Sequence, residues 1–147
     1  MRKQYLALSL GEWNDNYRNV KAPLFKFLTK DGERRVRVDH ENGQYAQTVF
    51  SVVRNYVGYT LVNADLKTGR THQIRVHLQH IGFPIIGDVK YGEFEHNKQL
   101  LKTGFKRMFL HAASLEFTHP ITNANIYLEA KLPSVLQLFV DSLSTRS

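Results

Sequence analysis

The chain has 147 residues, 42% of them apolar, which is enough to bury a core and too many for a disordered segment. It has no cysteine, so disulfides and thiolate metal sites are excluded, and no apolar run approaches the ~20 residues of a membrane-spanning helix. Lys and Arg number 20 against 13 Asp and Glu, and the net charge of +7 suits an anionic partner such as nucleic acid, although a merely basic protein would also show it.

Gln4 to Leu10 alternates, with Leu6, Leu8 and Leu10 on one face and Tyr5, Ala7 and Ser9 on the other, the pattern of a half-buried strand. Met1-Arg2-Lys3 runs straight into it and not into the apolar stretch of about 7–15 residues that marks a signal peptide, so a cytoplasmic protein is expected. Trp13 to Lys26 reads as irregular, with Pro23 as a breaker. Arg34 to Asp39, Thr48 to Arg54 and Tyr59 to Leu66 read as three strands, separated by turn chemistry at Glu41-Asn42-Gly43-Gln44 and at Gly58. They suggest an antiparallel meander that leads into a turn at Gly69.

Thr71 to Ile81 reads as a helix, because Ile74, Leu78 and Ile81 recur at i, i+4 and i+7. Thr71 is the expected N-cap, and Gly82 with Pro84 is the stop. On this register His72, Arg75 and Gln79 share a polar face. Pro84 to Gly92 is loop-like, and Glu93 to Lys106 reads as a polar surface excursion with a helical turn near Gln99 to Lys102. Phe109 to Phe117 and Asn125 to Leu132 read as the last strands, joined through His119-Pro120-Ile121-Thr122-Asn123. Pro133-Ser134 opens a terminal helix expected to turn Val135, Leu138 and Phe139 to the core. The expected class is α+β, a single domain over 1–147 with a mixed, mainly antiparallel sheet and flanking helices.

The run Lys67 to Leu78 is the most informative stretch, since it places two arginines, two histidines and a glutamine beside an apolar stripe. Such side chains suit an anion-facing or RNA-facing site. His72, His77 and His80 do not form the i, i+4 pair of a metal site, so no metal is expected. Taken alone, Tyr5 is an ordinary sheet aromatic and Arg75 a solvated helix arginine.

Three blocks resemble the RluA family of pseudouridine synthases in order and spacing. They are Lys3-Gln4-Tyr5-Leu6-Ala7-Leu8; then Thr68-Gly69-Arg70-Thr71-His72-Gln73-Ile74-Arg75-Val76-His77, continuing through Gly82, Pro84-Ile85 and Gly87-Asp88 to Tyr91-Gly92; and Arg107 with Leu110-His111-Ala112 through Leu115, Phe117 and His119-Pro120. The Leu6-Ala7-Leu8 strand and Ala22-Pro23-Leu24 look most like the RluC-type members, which act on large-subunit ribosomal RNA. The resemblance implies isomerisation of uridine to pseudouridine in RNA without cofactor or metal. It implies that Tyr5 stacks on the flipped uracil and takes part in proton transfer. Arg75 would pair with the catalytic aspartate, Leu110 would line the uracil pocket, and Arg70, His72 and Gln73 would contact or support RNA. Asp88 matches a structural position.

The family's nucleophilic aspartate lies in a His-Arg-Leu-Asp segment a few tens of residues before the tyrosine, and only four residues precede Tyr5 here. Asp15, Asp31, Asp39, Asp65, Asp88 and Asp141 all lack that context. The chain therefore reads as the C-terminal part of a pseudouridine synthase catalytic domain, inactive by itself. The alternative is a non-catalytic RNA-binding module. Expected partners are RNA, ribosomal by resemblance, and either a second copy or the missing N-terminal part, which would cover a bare sheet edge; no membrane partner is expected. Arg75, deprived of its usual partner, should be exposed, hold an anion or find another carboxylate.

Overall fold

The computed structural model describes residues 1–146. Eight strands and three helices follow in the order β1 (Arg2–Leu10), β2 (Tyr17–Lys21), β3 (Leu24–Leu28), β4 (Arg34–Val38), β5 (Gln47–Tyr56), β6 (Tyr59–Leu66), α1 (Gln73–His80), α2 (Phe94–Lys102), β7 (Leu110–Thr118), β8 (Asn125–Glu129) and α3 (Ser134–Asp141). Six strands form one sheet in the order β2-β5-β6-β1-β7-β8, and β3 with β4 forms a separate hairpin. Every one of these pairings is antiparallel, in an α+β arrangement.

The alternation in β1 sets the layers. Tyr5, Ala7 and Ser9 face α1, since Tyr5 shares a cavity with Ile74 and Arg75 of that helix. Leu6, Leu8 and Leu10 face the other way. Tyr59, opposite Leu10 in the register, packs edge-on against Phe139 of α3 and against His96 of α2. The sheet is thus covered by α1 on one face and by α2 and α3 on the other. Helix α1 buries two sides. Ile74 and Leu78 enter the main core with Phe50, Val62 and Ala64, while Val76 enters a smaller core with Leu24, Val36, Ala46 and Tyr91 beneath the β3–β4 hairpin.

Several expectations from sequence are corrected. The stretch 13–26 holds β2 and the start of β3. Tyr17–Lys21 is an edge strand whose alternation is masked because only Val20 is buried. The meander is interrupted, because β4 pairs back on β3 and leaves the sheet to β5 and β6. Helix α1 starts at Gln73, and its N-cap is His72, in the left-handed region at φ 54°. Thr71 does not cap it, since the Gln73 carboxamide closes the preceding turn instead, accepting the Arg70 N–H at 3.0 Å and the Thr68 hydroxyl at 2.7 Å. The polar excursion contains a nine-residue helix, α2, capped by the Glu93 carboxylate on the N–H groups of Glu95 and His96. In α3 the buried residues are Leu136 and Val140, with Phe139 partly buried, whereas Val135 and Leu138 are 46% and 68% exposed. That helix is apolar on nearly all sides, so periodicity could not choose its buried face. Strand β1 lies between β6 and β7, and the sheet edges are β2 and β8.

Candidate active site

The six residues singled out from sequence converge. Tyr5, Arg70, His72, Gln73, Arg75 and Leu110 line one open cavity of about 290 Å³, at the lower end of ligand-pocket sizes. Leu66, Ile74 and Met108 complete its wall, three residues that sequence reasoning did not select. Each reaches the cavity for a local reason. Tyr5 pairs with Ala64 on one side and Ala112 on the other, so small neighbours leave its ring room on the α1 face. Leu110 opens β7 one step further along, opposite Ala7. The β1–β7 register shifts between Gln4 and Tyr5, a bulge that re-aims the strand beside Tyr5.

Arg75 projects from the polar side of α1 and has found a carboxylate. Its Nε and Nη2 donate to Asp88 Oδ2 and Oδ1, both at 2.9 Å, in the two-pronged geometry that suits a guanidinium. The Asp88 side chain is fully buried and that of Arg75 is 15% exposed. Burial pushes the Asp88 pKa up, but the bond from Arg75 and the backbone N–H groups of Tyr91 and Lys90 outweigh it and hold the carboxyl below its usual range. The Arg75 pKa is raised, first by its hydrogen bond to Asp88. Arg75 also lies over the Tyr91 ring, 5.0 Å from its centroid. Nη1 makes no hydrogen bond among the described residues, so one donor edge of the fork remains free.

Asp88 is itself fixed. Its backbone carbonyl accepts from Asn97 Nδ2 at 2.8 Å, and Asn97 Oδ1 accepts the Gly87 N–H at 2.9 Å, which ties the loop to α2. Gly87, at φ +76°, has no room for a side chain, because a Cβ there would lie 2.2 Å from the Arg107 carbonyl oxygen.

His72 and Gln73 serve the turn before α1. Gln73 Nε2 donates to the Gln47 carbonyl and to Thr48 Oγ1, so this buried amide is bonded on both sides. Thr48 in turn bonds His77 Nδ1 at 2.8 Å, and His77 Nε2 donates to the Ala22 carbonyl at 2.8 Å. His77 is therefore a structural core residue. His72 Nδ1 lies 2.8 Å from the Tyr91 hydroxyl, which already accepts the Val36 N–H at 2.9 Å. Nδ1 is the one acceptor within reach of this buried phenol among the described residues, so the hydroxyl donates to it and the His72 proton is assigned to Nε2. Burial, then the charges of Arg75 and Lys90, hold the His72 pKa down and favour this neutral form. Arg70, on the cavity wall, is held by its Nε donating to the Tyr45 carbonyl at 2.9 Å. Tyr91 was legible only as part of the Tyr91-Gly92 motif, since nothing in the sequence shows its hydroxyl joining β4 to His72.

No carboxylate is among the residues lining this cavity, and Asp88 is turned to Arg75. Among the described residues no group of His, Asp and Glu is arranged to hold a metal ion, and no helix is long and apolar enough to cross a membrane.

The sequence model of the RNA pseudouridylate synthase family matches residues 1–80. Ribosomal large subunit pseudouridine synthase C of Escherichia coli strain K12 is 46% identical over 145 residues, spanning 97% of this chain and 45% of its own length. The protein of that name from Salmonella typhimurium strain LT2 is 48% identical over 139 residues, spanning 93% of this chain and 43% of its own. The chain thus spans less than half the length of these curated relatives. The solved structure of human RNA pseudouridylate synthase domain containing 1 superposes with a TM-score of 0.79 at 26% identity, covering 99% of this chain and 60% of that one. Human RNA pseudouridylate synthase domain containing 4, at 24% identity and a TM-score of 0.71, covers 99% of this chain and 64% of its own and shares the fold.

Proposed function

The chain belongs to the RNA pseudouridylate synthase family, and from that premise we propose that it carries the tyrosine and arginine side of an active site that isomerises uridine in large-subunit ribosomal RNA. One observation supports this most: Tyr5, Arg75 and Leu110, from three separate elements, meet around one cavity. The reaction breaks the N1–C1′ bond of uridine and joins C5 to the same C1′. The C5 proton leaves and N1 gains one, so atoms balance without redox chemistry. The target base leaves its stack to reach such a pocket. Tyr5 offers a ring face for that base and a phenol for the proton. Leu66, Leu110 and Met108 exclude water from the base's edges. Arg75, immobilised by Asp88, offers Nη1 to an incoming carboxylate or to the RNA backbone. Gln73 and Arg70 hold the turn that aligns α1.

No carboxylate of these 147 residues lines the cavity, so this reading takes the nucleophile from the part of the curated relatives that the chain does not cover. The test is tritium release from C5-labelled uridine in large-subunit ribosomal RNA. The chain alone releases none. Joined to the part of the Escherichia coli relative that it does not cover, it releases tritium, and Tyr5→Phe or Arg75→Gln abolishes the release. Release by the chain alone would overturn the assignment of the nucleophile. Failure of both variants to alter the joined enzyme would overturn the site. The second reading, an RNA-binding module without catalysis, is favoured by the cavity's lack of a carboxylate and predicts RNA binding with no release from the joined chain.

A further inference from the structure

A second cleft, of about 400 Å³, lies between the tip of the β3–β4 hairpin and the Thr71-His72 turn, and His72 belongs to the walls of both this cleft and the uracil-sized cavity. We infer that this cleft binds the nucleotide adjoining the target uridine in a single strand of RNA, with Lys26 and Arg34 on its phosphate and His72 at the step between the two sites. The inference rests on the proposed function, which supplies the first nucleotide.

The lining argues for a nucleotide. Lys26 and Arg34 stand on the hairpin face that looks toward α1 and have no carboxylate partner among the described residues. Their neighbours differ. Arg35 and Lys90 share Glu33, and Arg37 pairs with Asp39, so these two carboxylates are already engaged. Two unneutralised cations beside the exposed Leu28 combine charge for a phosphate with apolar surface for a base, while the Phe27 ring alternates to the other face of the hairpin, under Arg37.

His72 supports the continuity of the two sites. It is held at φ 54°, an uncommon conformation for a side-chain-bearing residue, with Nδ1 fixed on Tyr91. Nε2 carries the proton and bonds no protein group among the described residues. A neutral donor at the shared wall suits a phosphodiester oxygen that links a base in one cavity to a base in the other. The hairpin is braced for such a load, because Arg35 Nη1 donates to the Lys90 carbonyl at 2.9 Å and Lys90 Nζ to the Arg34 carbonyl at 3.2 Å.

The experiment is the salt dependence of binding of a fluorescent single-stranded RNA pentamer with one central uridine to the 147-residue chain. Each phosphate contact contributes about 0.7 to the log–log slope on single strands, so Lys26→Gln/Arg34→Gln should make the slope shallower by about 1.4. The preference for uridine over cytidine at the centre should stay as in the unmodified chain. Lys98→Gln/Lys102→Gln on α2, across the sheet, removes the same charge and should leave the slope within about 0.5 of the parent. An unchanged slope in the hairpin variant, or an equal loss in the α2 variant, overturns the second site. In that case a Tyr5→Ala variant that still weakens binding leaves the uracil cavity standing. If the unmodified chain binds no RNA, or Tyr5→Ala binds as the parent does, the proposed function fails as well.

Discussion

Asp88→Asn probes the joint that holds Arg75. In the native pair Asp88 Oδ1 accepts from Arg75 Nη2 and from the N–H groups of Lys90 and Tyr91, while Oδ2 accepts from Arg75 Nε. Asparagine keeps one oxygen. If that oxygen stays on the backbone N–H groups, the new NH2 meets Arg75 Nε, donor against donor. If the amide turns over, the two backbone donors lose their acceptor. Removing one partner of a buried pair costs about 3–5 kcal/mol. Arg75 keeps 15% exposure and can gain water, so the low end, about 3 kcal/mol, applies. With a urea m value of about 2 kcal/mol/M, the unfolding midpoint should fall by about 1.5 M at constant m. A double change, Asp88→Leu with Arg75→Met, removes both charges and should cost less than Asp88→Leu alone, which strands the guanidinium as well as the Lys90 and Tyr91 N–H groups. A fall under about 0.5 M for Asp88→Asn would put the pair in the range of exposed ion pairs and refute this account of how Arg75 is fixed. The same pair sets an acid limit. The Asp88 pKa is lowered by folding, so its contribution is complete above the unfolded carboxyl pKa of about 3.9 and is lost as pH falls below that, through the folded value.

His77 acts in a higher pH window. Burial holds its pKa below the ordinary value, so the unfolded chain binds the extra proton first, and stability should decline as pH drops below about 6.5. Urea midpoints measured from about pH 7 to pH 5 should fall, and more gently in His77→Gln; equal slopes would refute the assignment. His72 and His96, also shifted downward by burial, add contributions of the same sign. Gly87→Ala meets a positive φ and the Arg107 carbonyl, and should lower stability by at least about 1–3 kcal/mol in thermal melts. Tyr5→Ala should weaken binding of a uridine-containing single strand by about 1–3 kcal/mol with little change in salt slope, because it removes stacking and no charge.

Much of this site was legible through the motif resemblance to the RluA family, because taken alone Tyr5 reads as a sheet aromatic and Arg75 as a solvated helix arginine. Tyr5 could be assigned to the face opposite the leucines from alternation alone, and Arg75 to the side of α1 away from Ile74 and Leu78. Their convergence could not be derived that way, since it depends on β7 returning beside β1 to bring Leu110 next to Tyr5. What stayed hidden was carried by hydrogen bonds distant in sequence. Asp88 reaches Arg75 across 13 positions, and Tyr91 reaches Val36 across 55. The start of α1 was misplaced because Gln73, not a residue with capping propensity, satisfies the turn. The extent of α2 was missed because only Leu100 is buried on it, which leaves no apolar period to read.

The central claim is that Tyr5, Arg75 and Leu110 enclose a uracil. The most direct test is a crystal structure of the chain with a bound single-stranded RNA carrying one uridine. The account predicts the uracil ring stacked on Tyr5 and against Leu110, with Arg75 still forked on Asp88 and Nη1 turned to the nucleotide. An RNA ordered elsewhere on the surface, with its uridine stacked on other residues, would contradict it.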